Sequence, residues 1–517
     1  MGVHILYLQH ILLAYLLTSK KFTKMKRILF FLSIITLITS CSDEFLDRYP
    51  KGRWHHANYK ANDSLDISIL VESKLGQGYG KLRNFWFSWT GLAMNNYTTP
   101  DVEKGSTPSD GGAIAEFKAM SYTAGSEPLR QYYTECYNTI YFANEALVLA
   151  NSMPDTASAK KRLMAESLFL RSVMYYRLAQ AFGGVPYVEN VLSQTDKTPA
   201  RSTREEIWGH IETDLKWAAQ NLPTRVQRNA TGNSGRPTQN AAKAVLAKVY
   251  LYQKQWTNAL TLTTEIIKSG DNDLLTPYSE IFTEAKEFGP ESVFEVYCEK
   301  KPSEQIDMGS QHAQIQGFRG IPNLGWGFNA PSQVLMDAYE PGDPRKKASI
   351  IQDGDTLDGK KSKADAASYK FFNRKAYVSL AERSVFGRAS DPQGYWSNIR
   401  IIRYADVLLM HAEAACELGN STEALEKLEM IRERARGGNE SVLPKITTIN
   451  PNELREKIHQ ERRIELAMEW ERFFDLVRWD EAKDVIPNFV VGKHELFPIP
   501  QTEIDKSEGL ITQNPGY

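Results

Sequence analysis

The sequence predicts a predominantly all-α fold, in which a scaffold of helix pairs is interrupted by a loop-rich, mixed insertion. Apolar residues recur at intervals of three and four through two long blocks, residues 128–269 and 399–480. Small residues in these blocks keep the spacing of tetratricopeptide helix pairs. Between the blocks, residues 270–398 are rich in turn formers, and residues 317–345 alone hold five Gly and four Pro.

The composition excludes some classes of protein. The chain has 517 residues, with 62 basic and 63 acidic side chains and a formal charge of −1. Proteins that bind nucleic acid usually carry a basic stripe or have a high pI, whereas the pI here is about 6.8. We therefore expect no nucleic-acid partner. The 42% of hydrophobic residues can bury a large core, which argues against intrinsic disorder.

Residues 25–40 have the pattern of a lipoprotein signal peptide. Lys26 and Arg27 precede an apolar run of about eleven residues, which is shorter than the ~20 residues that a membrane-spanning helix needs. The run ends in Ile38-Thr39-Ser40-Cys41, which resembles the bacterial lipobox. We predict cleavage before Cys41 and a diacylglycerol anchor with palmitate-type acyl chains on its thiol. An ordinary signal peptide followed by a stray Cys is the alternative.

The residues on either side of this signal extend the prediction. Residues 1–24 are predicted to be an upstream extension from a mis-called start codon, because Met25 opens a complete signal sequence by itself. Ser42-Asp43-Glu44 follow Cys41, and an acidic stretch at this place resembles the signal that sends some lipoproteins to the outer leaflet of the outer membrane. We therefore expect the protein to be exposed at the cell surface.

The remaining chain, 41–517, is predicted to be one domain with five segments. Residues 41–127 form an N-terminal loop-rich segment and 481–517 a C-terminal segment. In the first helical block, 128–269, the pattern predicts helices over 129–151, 157–182, 204–221 and 240–268, with Thr203 as an N-cap and a break near Gln255. The insertion is 270–398. In the second block, 399–480, Gly419-Asn420 joins two antiparallel helices.

Two helix pairs carry the tetratricopeptide spacing. The positions that match its small or bulky residues are Leu246, Ala247, Tyr250 and Ala259 in one pair, and Ala412, Ala415 and Ala424 in the other. Lys243 and His411 stand where the motif prefers Trp and Leu, so the repeats are degenerate. Ordinary antiparallel helices are the alternative, but stacked repeats explain why an insertion can separate the two blocks.

No catalytic or metal motif is present in the sequence. H-E-x-x-H, G-x-S-x-G and Walker patterns are absent, so the sequence specifies no enzyme. Asp353-Gly354-Asp355 is similar to part of a calcium loop, but Leu357 stands where an oxygen ligand is required, so a solvated turn is favoured over a calcium cofactor. Cys136, Cys298 and Cys416 lack metal-like spacing, and Cys136 and Cys416 are expected to pack within helices.

The segment 461–478 holds nine charges in eighteen residues. Opposite charges three residues apart predict ion pairs on adjacent turns of one helix, namely Arg462–Glu465, Glu469–Arg472 and Asp475–Arg478. A structural charge ladder is favoured, and a catalytic acid and base hidden in this segment is the alternative. That alternative would make the protein a secreted glycoside hydrolase.

Two clusters of aromatic residues give the one functional signal. Aromatic faces can stack on sugar rings, and neighbouring amides can bond to hydroxyl groups. The candidate ligand-binding residues are Trp326, Trp86, Trp89, Asn96, Asn95, Tyr97, Phe318 and Phe328. Trp326 is the first choice, because Gly325 and Gly327 flank it and leave no side chain to cover its ring. Burial of these rings in the core is the alternative.

Motifs along the whole predicted mature chain resemble the SusD-like (RagB/SusD) outer-membrane lipoproteins. In order, they are Cys41 with Phe45-Leu46-Asp47, Ala165-Glu166 to Phe169-Leu170-Arg171, Phe182-Gly183-Gly184-Val185-Pro186, Ala247-Lys248-Val249-Tyr250-Leu251, Arg403-Tyr404-Ala405-Asp406, Ala412-Glu413-Ala414, Glu461-Arg462-Arg463-Ile464-Glu465-Leu466, Phe474-Asp475-Leu476-Val477-Arg478-Trp479, Phe497-Pro498-Ile499-Pro500 and Asn514-Pro515-Gly516-Tyr517. The resemblance is strongest in the scaffold and weakest in the loops.

The resemblance implies a helical tetratricopeptide scaffold tethered outside the cell. It also implies a non-enzymatic glycan-binding protein that is the partner of a SusC-like TonB-dependent outer-membrane transporter in polysaccharide uptake. Ligand contacts in this family come from loops, which here hold Trp86, Trp89, Asn96 and Trp326. Peptide or glycopeptide cargo is the alternative within the same architecture.

Overall fold

A computed structural model describes residues 64–192, 196–232, 235–301, 306–366, 368–379 and 396–517. The predicted upstream extension 1–24, the signal peptide 25–40 and the lipidated Cys41 lie outside the described residues. In the described ranges, no helix is both long enough and apolar enough to cross a membrane.

The described part of the N-terminal segment, residues 64–127, is largely helical, which corrects the expectation of loops there. It contains α1 (Ser64–Leu82), α2 (Phe85–Leu92), a π-helical turn (Ala93–Tyr97), β1 (Val102–Gly105) and α3 (Gly112–Lys118). Gly78, within α1, has a packing role. A Cβ there would lie 2.7 Å from Leu170 Cδ2, so glycine allows α1 to approach the helix that carries Leu170.

The first helical block, 128–269, is helical at each predicted stretch and holds one further short helix, Arg225–Ala230. It forms α4 (Glu127–Ser152), α5 (Lys160–Phe182), α6 (Arg204–Asn221), α7 (Arg225–Ala230), α8 (Gln239–Tyr252) and α9 (Trp256–Ser269). Thr203 caps α6 as predicted, because its Oγ1 accepts a hydrogen bond from Glu206 N (3.2 Å) while Glu206 Oε2 accepts one from Thr203 N (2.7 Å). Cys136 is buried within α4, as expected.

The insertion forms small two-stranded sheets and short helices. The helices are α10 (His312–Gln316), α11 (Gln333–Ala338) and α12 (Pro344–Ser349). The strands are β2 (Ser292–Val296), β3 (Glu299–Lys301), β4 (Ile306–Met308), β5 (Gly320–Ile321), β6 (Phe328–Pro331), β7 (Ile350–Gln352), β8 (Thr356–Leu357), β9 (Lys360–Lys361), β10 (Lys363–Ala364) and β11 (Phe371–Asn373). The antiparallel pairs within it are β3–β4, β5–β10, β7–β11 and β8–β9.

The second block begins with a strand where a helix was predicted. β12 (Ile399–Arg403) pairs antiparallel with β2, and Ile399 lies opposite Val296. β-Branched Ile399, Ile401 and Ile402 favour this extended conformation, and pairing with β2 outweighs the helical spacing. The helices follow as α13 (Tyr404–Glu417), α14 (Ser421–Arg436), α15 (Pro451–Glu465), α16 (Arg472–Arg478), α17 (Ala482–Val485) and α18 (Gln501–Lys506).

The two predicted helix pairs, α8–α9 and α13–α14, stack on each other through α9 and α13. His411, which departs from the repeat motif, lies at this junction. Its Nδ1 is 3.1 Å from Thr263 Oγ1 of α9, and its Nε2 is 2.9 Å from Glu423 Oε1 of α14. A pair of hydrogen bonds thus replaces the apolar contact that Leu would make. Cys416 is buried at the end of α13, as expected.

The charged segment 461–478 is not a single helix, because α15 ends at Glu465 and α16 begins at Arg472. Of the three predicted pairs, Asp475–Arg478 forms, at 2.9 Å. Arg462 and Glu465 are both buried and pair instead with residues of other elements. The prediction of a charge ladder along one helix is therefore wrong, and Arg462 and Glu465 take part in a buried ion network that joins several elements.

Candidate functional site

The N-terminal segment and the insertion meet in a two-stranded antiparallel sheet. β1 pairs with β6, and Gly105 lies opposite Phe328. Beyond the ladder, Ser106 N donates to the Gly327 carbonyl oxygen at 2.7 Å. A Cβ on Gly105, whose φ is +77°, would lie 2.2 Å from that same oxygen. Glycine at 105 therefore allows the two segments to approach this closely.

Five rings from these segments form one group, which we call the aromatic cluster: Phe85, Trp86, Trp89, Trp326 and Phe328. Trp89 is central, with its ring centroid 4.5 Å from that of Phe85, 5.9 Å from Trp326 and 4.8 Å from Phe328. Trp86 lies at the edge, 5.2 Å from Phe85. Four of the eight predicted site residues thus come together in space although two segments far apart in the sequence supply them.

The aromatic cluster has a buried base and an accessible edge. Phe328 is 3% exposed, whereas the other four rings are partly exposed. Three of those four are the tryptophans that the sequence singled out, and they lie on helix α2 and just before β6. Burial fixes one side of the cluster, and the partly exposed rings remain available to a flat ligand.

The glycines that flank Trp326 have a role different from the one expected. Gly325 and Gly327 are buried, and a Cβ on Gly325 would lie 2.5 Å from the Gln314 carbonyl oxygen. Trp326 N donates to that same oxygen at 2.8 Å. Gly325 therefore allows the loop to pack against α10, and this packing holds Trp326 in place.

Four other predicted site residues are buried. Asn95, Asn96, Tyr97 and Phe318 are at most 1% exposed. The amides of Asn95 and Asn96 donate to main-chain carbonyl oxygens, and burial raises the pKa of Tyr97. Phe318 packs in a hydrophobic core, with its centroid 4.4 Å from that of Phe372. This burial disagrees with the expectation of ligand contact, and we leave the four residues out of the candidate site.

A polar network borders the aromatic cluster. Arg319 Nη1 donates to Ser106 Oγ at 2.7 Å and pairs with Asp110, while its Nε lies 3.3 Å from Asp365 Oδ2. Hydrogen bonds from the Thr107 and Ser106 hydroxyls, together with the Arg319 cation, lower the pKa of Asp110 to about 2. Asp110 is therefore negatively charged at neutral pH and holds Arg319 in place.

Lys104 connects this network to the rings. Its Nζ lies 5.5 Å from the centroid of the Phe328 ring, within cation–π distance. The same Nζ donates to the carbonyl oxygens of Thr107 (2.8 Å) and Asp110 (2.6 Å). Burial lowers the pKa of Lys104. The turn after β1 is thus fastened to the base of the aromatic cluster.

Two cavities open beside this sheet. The first, of about 320 Å³, is lined by Arg319, Gly320, Asn323, Gly325, Trp326 and Asp365. The second, of about 810 Å³, is bordered by β1, α3 and residues 368–371, and it includes Tyr369, which is 41% exposed. The first cavity places one face of an aromatic residue beside a guanidinium, a carboxylate and an amide. That combination can stack on an apolar ring face and hydrogen-bond to groups at the ring edge.

The calcium interpretation of residues 353–359 gains no support. Asp353 Oδ1 accepts a hydrogen bond from Ala364 N at 2.7 Å. Asp355 Oδ2 accepts one from Gln352 N at 3.0 Å and pairs with Arg374 at 2.8 Å. These carboxylates stabilise the turn around β8 and β9. Within the part of the chain that the structure describes, no three side chains are placed to hold a metal ion.

Several residues of the site were not among the sequence candidates, namely Phe85, Asp110, Arg319, Asn323 and Asp365. Phe85 carried a signal, because it precedes Trp89 by one helical turn in α2. Arg319 and Asp110 carried none, since they are brought together by the pairing of β1 with β6 and each looks like an ordinary surface charge in the sequence.

Comparison with known proteins gives matches over most of the chain. Residues 290–494 match the model of the SusD family, and residues 57–251 match a family model described as starch-binding and associating with the outer membrane. A SusD-like protein of Formosa agariphila is 25% identical over 522 residues, which cover 96% of this chain and all of the relative.

Solved structures show the same fold. A laminarin-binding SusD-like protein is 27% identical with a TM-score of 0.73, and surface glycan-binding protein A from Bacteroides fluxus is 26% identical with a TM-score of 0.71. Each alignment covers 87% of this chain and 99% of the other. The helical scaffold that the sequence motifs implied is thereby confirmed.

Proposed function

Because the chain belongs to the SusD family, we propose that it is a cell-surface lipoprotein that binds an oligosaccharide or polysaccharide and delivers it to a SusC-like TonB-dependent transporter. The aromatic cluster carries this proposal. It presents partly exposed tryptophan rings beside a cavity of about 320 Å³ with polar walls, which suits a sugar ring with an apolar face and hydroxyl groups at its edge.

The polar network supplies both kinds of hydrogen-bonding group that sugar hydroxyls need. Asp365 and Asn323 offer oxygen acceptors, and Arg319 and Asn323 offer N–H donors. Because Arg319 is fixed by Asp110 and Ser106, its side chain loses little conformational freedom when a ligand binds. A preorganised polar wall next to a stacking ring favours binding of a glycan with defined geometry.

Attachment to the outer membrane rests on Cys41. The lipobox-like Ile38-Thr39-Ser40-Cys41 supports an acyl anchor, and the family model's description mentions outer-membrane association. Replacing Cys41 with Ala should leave the protein unprocessed or release it from the membrane fraction. Mass spectrometry of membrane-extracted protein that shows an unmodified Cys41 thiol would contradict the anchor.

Binding without catalysis is supported by the burial and ion pairing of the carboxylates in the charged segment, residues 461–478. Glu461, Glu465 and Asp475 are buried, and each pairs with at least one arginine. A general acid needs access to the substrate and a proton to donate, whereas these groups are buried against arginines, and attraction to Arg434 outweighs burial and lowers the pKa of Glu465. The segment therefore favours a structural role over that of a hydrolase site.

The test is to titrate the purified ectodomain, residues 42–517, against a panel of neutral and acidic glycans by calorimetry, followed by analysis of the glycan for shortened chains. We expect heat of binding with at least one glycan and no product. Shortened chains would establish a hydrolase instead. Absence of binding to every glycan, together with binding to peptides or glycopeptides, would replace glycan with peptide cargo.

A further inference from the structure

One turn of the C-terminal scaffold contacts both segments that supply the aromatic cluster, namely α2 with the turn after it and β6 with the loop before it. This connecting turn, residues 466–471, joins α15 to α16. The Met468 carbonyl oxygen accepts hydrogen bonds from Asn96 Nδ2 (3.3 Å) and from Asn329 Nδ2 (3.2 Å). Asn96 follows α2 and Asn329 lies in β6, so one carbonyl group links the two segments that supply the rings.

The side chain of Trp470 also contacts elements that support both segments. On one side, its ring lies against α2 at Gly91, where a Cβ would be 2.3 Å from Trp470 Cζ3. On the other side, it stacks on His312 of α10, with centroids 5.4 Å apart and planes 12° from parallel. α10 in turn holds Trp326, through the hydrogen bond from Trp326 N to the Gln314 carbonyl oxygen. Trp470 therefore lies between α2, which carries Trp86 and Trp89, and α10, which holds Trp326.

Two arginines beside the turn hold the start of β1. Arg463 of α15 binds Asp101 through its Nε, 2.9 Å from Oδ2, and also through its Nη2. Arg472 Nε lies 2.9 Å from the same Oδ2. Asp101 is buried, and its carbonyl oxygen accepts a hydrogen bond from Ser332 N at 2.9 Å, just after β6. The sheet that joins the two halves is therefore fixed to this part of the scaffold.

From these three sets of contacts we propose that Met468 and Trp470 are positioning residues for glycan binding. They set the distance and angle between α2 and β6, and hence between Trp89 and Trp326, without touching the ligand. This inference rests on the proposed function. It assigns to Asn96 a positioning role in place of the ligand contact that the sequence suggested.

The test uses Gly91→Ala, whose new Cβ must push α2 away from Trp470. In the folded protein we expect a loss of glycan affinity of at least about fivefold, the lower end of what losing one stacking ring would cause. Combining it with Trp470→Phe, which removes the part of the indole that meets the Cβ, should restore most of the affinity. Gly209→Ala is the matched control, since this helical glycine of α6 has open space around its Cβ.

A second measurement keeps the proposal testable if Gly91→Ala folds poorly. Asn329→Gly keeps the left-handed conformation (φ +54°) but removes the amide that donates to the Met468 carbonyl oxygen and to Gln316 Oε1 of α10. Hydrogen exchange of peptides from α2 and from β6 should rise together in this variant and in Gly91→Ala. Wild-type affinity in both folded variants, or faster exchange in one segment alone, would overturn the positioning role. If the wild type binds no glycan, the proposed function fails, while the exchange data still decide the positioning.

Discussion

The buried ion network of the scaffold and the aromatic cluster both concentrate side chains that can act chemically, yet they differ in what those side chains contact. In the network, Glu465 is 0% exposed and accepts hydrogen bonds from Arg434 (2.6 Å), Arg403 (3.0 Å) and Arg345 (3.3 Å). In the cluster, four rings each keep part of their surface exposed. The buried charges find their partners within the protein and therefore stabilise the fold. The partly exposed rings keep surface that a ligand can contact.

The largest expected effect is on stability and comes from the network. Glu465→Gln removes the charge that compensates three buried guanidinium groups, and breaking such a pair typically lowers the free energy of unfolding by about 3–5 kcal/mol. Urea unfolding measures this loss. Glu508→Gln is the control, because Glu508 pairs with Lys197 where both side chains are at least 75% exposed, and such pairs contribute about 0–1 kcal/mol. Equal effects of the two variants would contradict the structural role of the network.

A pH titration tests the same network through Glu413. Burial alone would raise the pKa of Glu413, but attraction to Arg478 outweighs burial and lowers it to about 2, from 4.5 for the free side chain. Since the folded state then binds fewer protons than the unfolded state, the stabilisation is complete above pH 4.5. It should be lost as the pH falls towards 2, by about 3 kcal/mol. Glu413→Gln should show a flatter curve over this range, and an equally steep curve would refute the assignment.

Within the aromatic cluster, Trp89 and Trp86 should differ. Trp89 contacts three rings, and each aromatic pair contributes about 0.5–1.5 kcal/mol, so Trp89→Ala should lower stability by about 1.5–4.5 kcal/mol as well as weakening glycan binding. Trp86→Ala loses one ring contact, with Phe85, and should therefore lower stability less. Melting temperature and affinity measured for both variants check this. A larger loss of stability in Trp86→Ala would show that the cluster is organised differently.

The smallest expected effect is at the polar wall. Asp365 is half exposed and lies 3.3 Å from Arg319 Nε, so Asp365→Asn should change stability little. If Asp365 accepts a hydrogen bond from a sugar hydroxyl, the variant should bind about 2- to 10-fold more weakly, as the loss of one hydrogen bond implies. Asp480→Asn, at an exposed pair with Lys483, is the control. Identical affinity of the two variants would exclude Asp365 from ligand contact.

The sequence was most informative where structure is decided by nearby residues. The apolar spacing of α4, α5, α6, α8 and α9 and the cap at Thr203 follow from local periodicity and local hydrogen bonds, and both were predicted, whereas the short helix α7 was not. By contrast, α1 was missed because glycine lowers helix propensity. Gly78 is explained by its close contact with Leu170, which is distant in the sequence. β12 was missed because its strand conformation depends on pairing with β2.

The candidate site shows the same limit. Aromatic composition identified Trp86, Trp89 and Trp326, because large rings in a Gly-rich context are visible in the sequence. It did not distinguish them from Tyr97, which is fully buried, since exposure is set by residues distant in the chain. The partners of Arg462 also lie on other elements, so the charge pattern alone predicted pairs within one helix where the structure has a buried network.

The central claim is that the aromatic cluster serves binding while the ion network serves stability, and Trp326→Ala tests it most directly. Glycan affinity and melting temperature are measured on the same preparation, with Trp217→Ala on α6 as a control for removing a partly exposed tryptophan outside the cluster. We expect the affinity to fall about 5- to 150-fold, as for the loss of one stacking ring, together with a loss of stability of about 1–3 kcal/mol from the missing ring contacts with Phe85 and Trp89. A lower melting temperature with unchanged affinity per folded molecule would place Trp326 in the core and contradict the account.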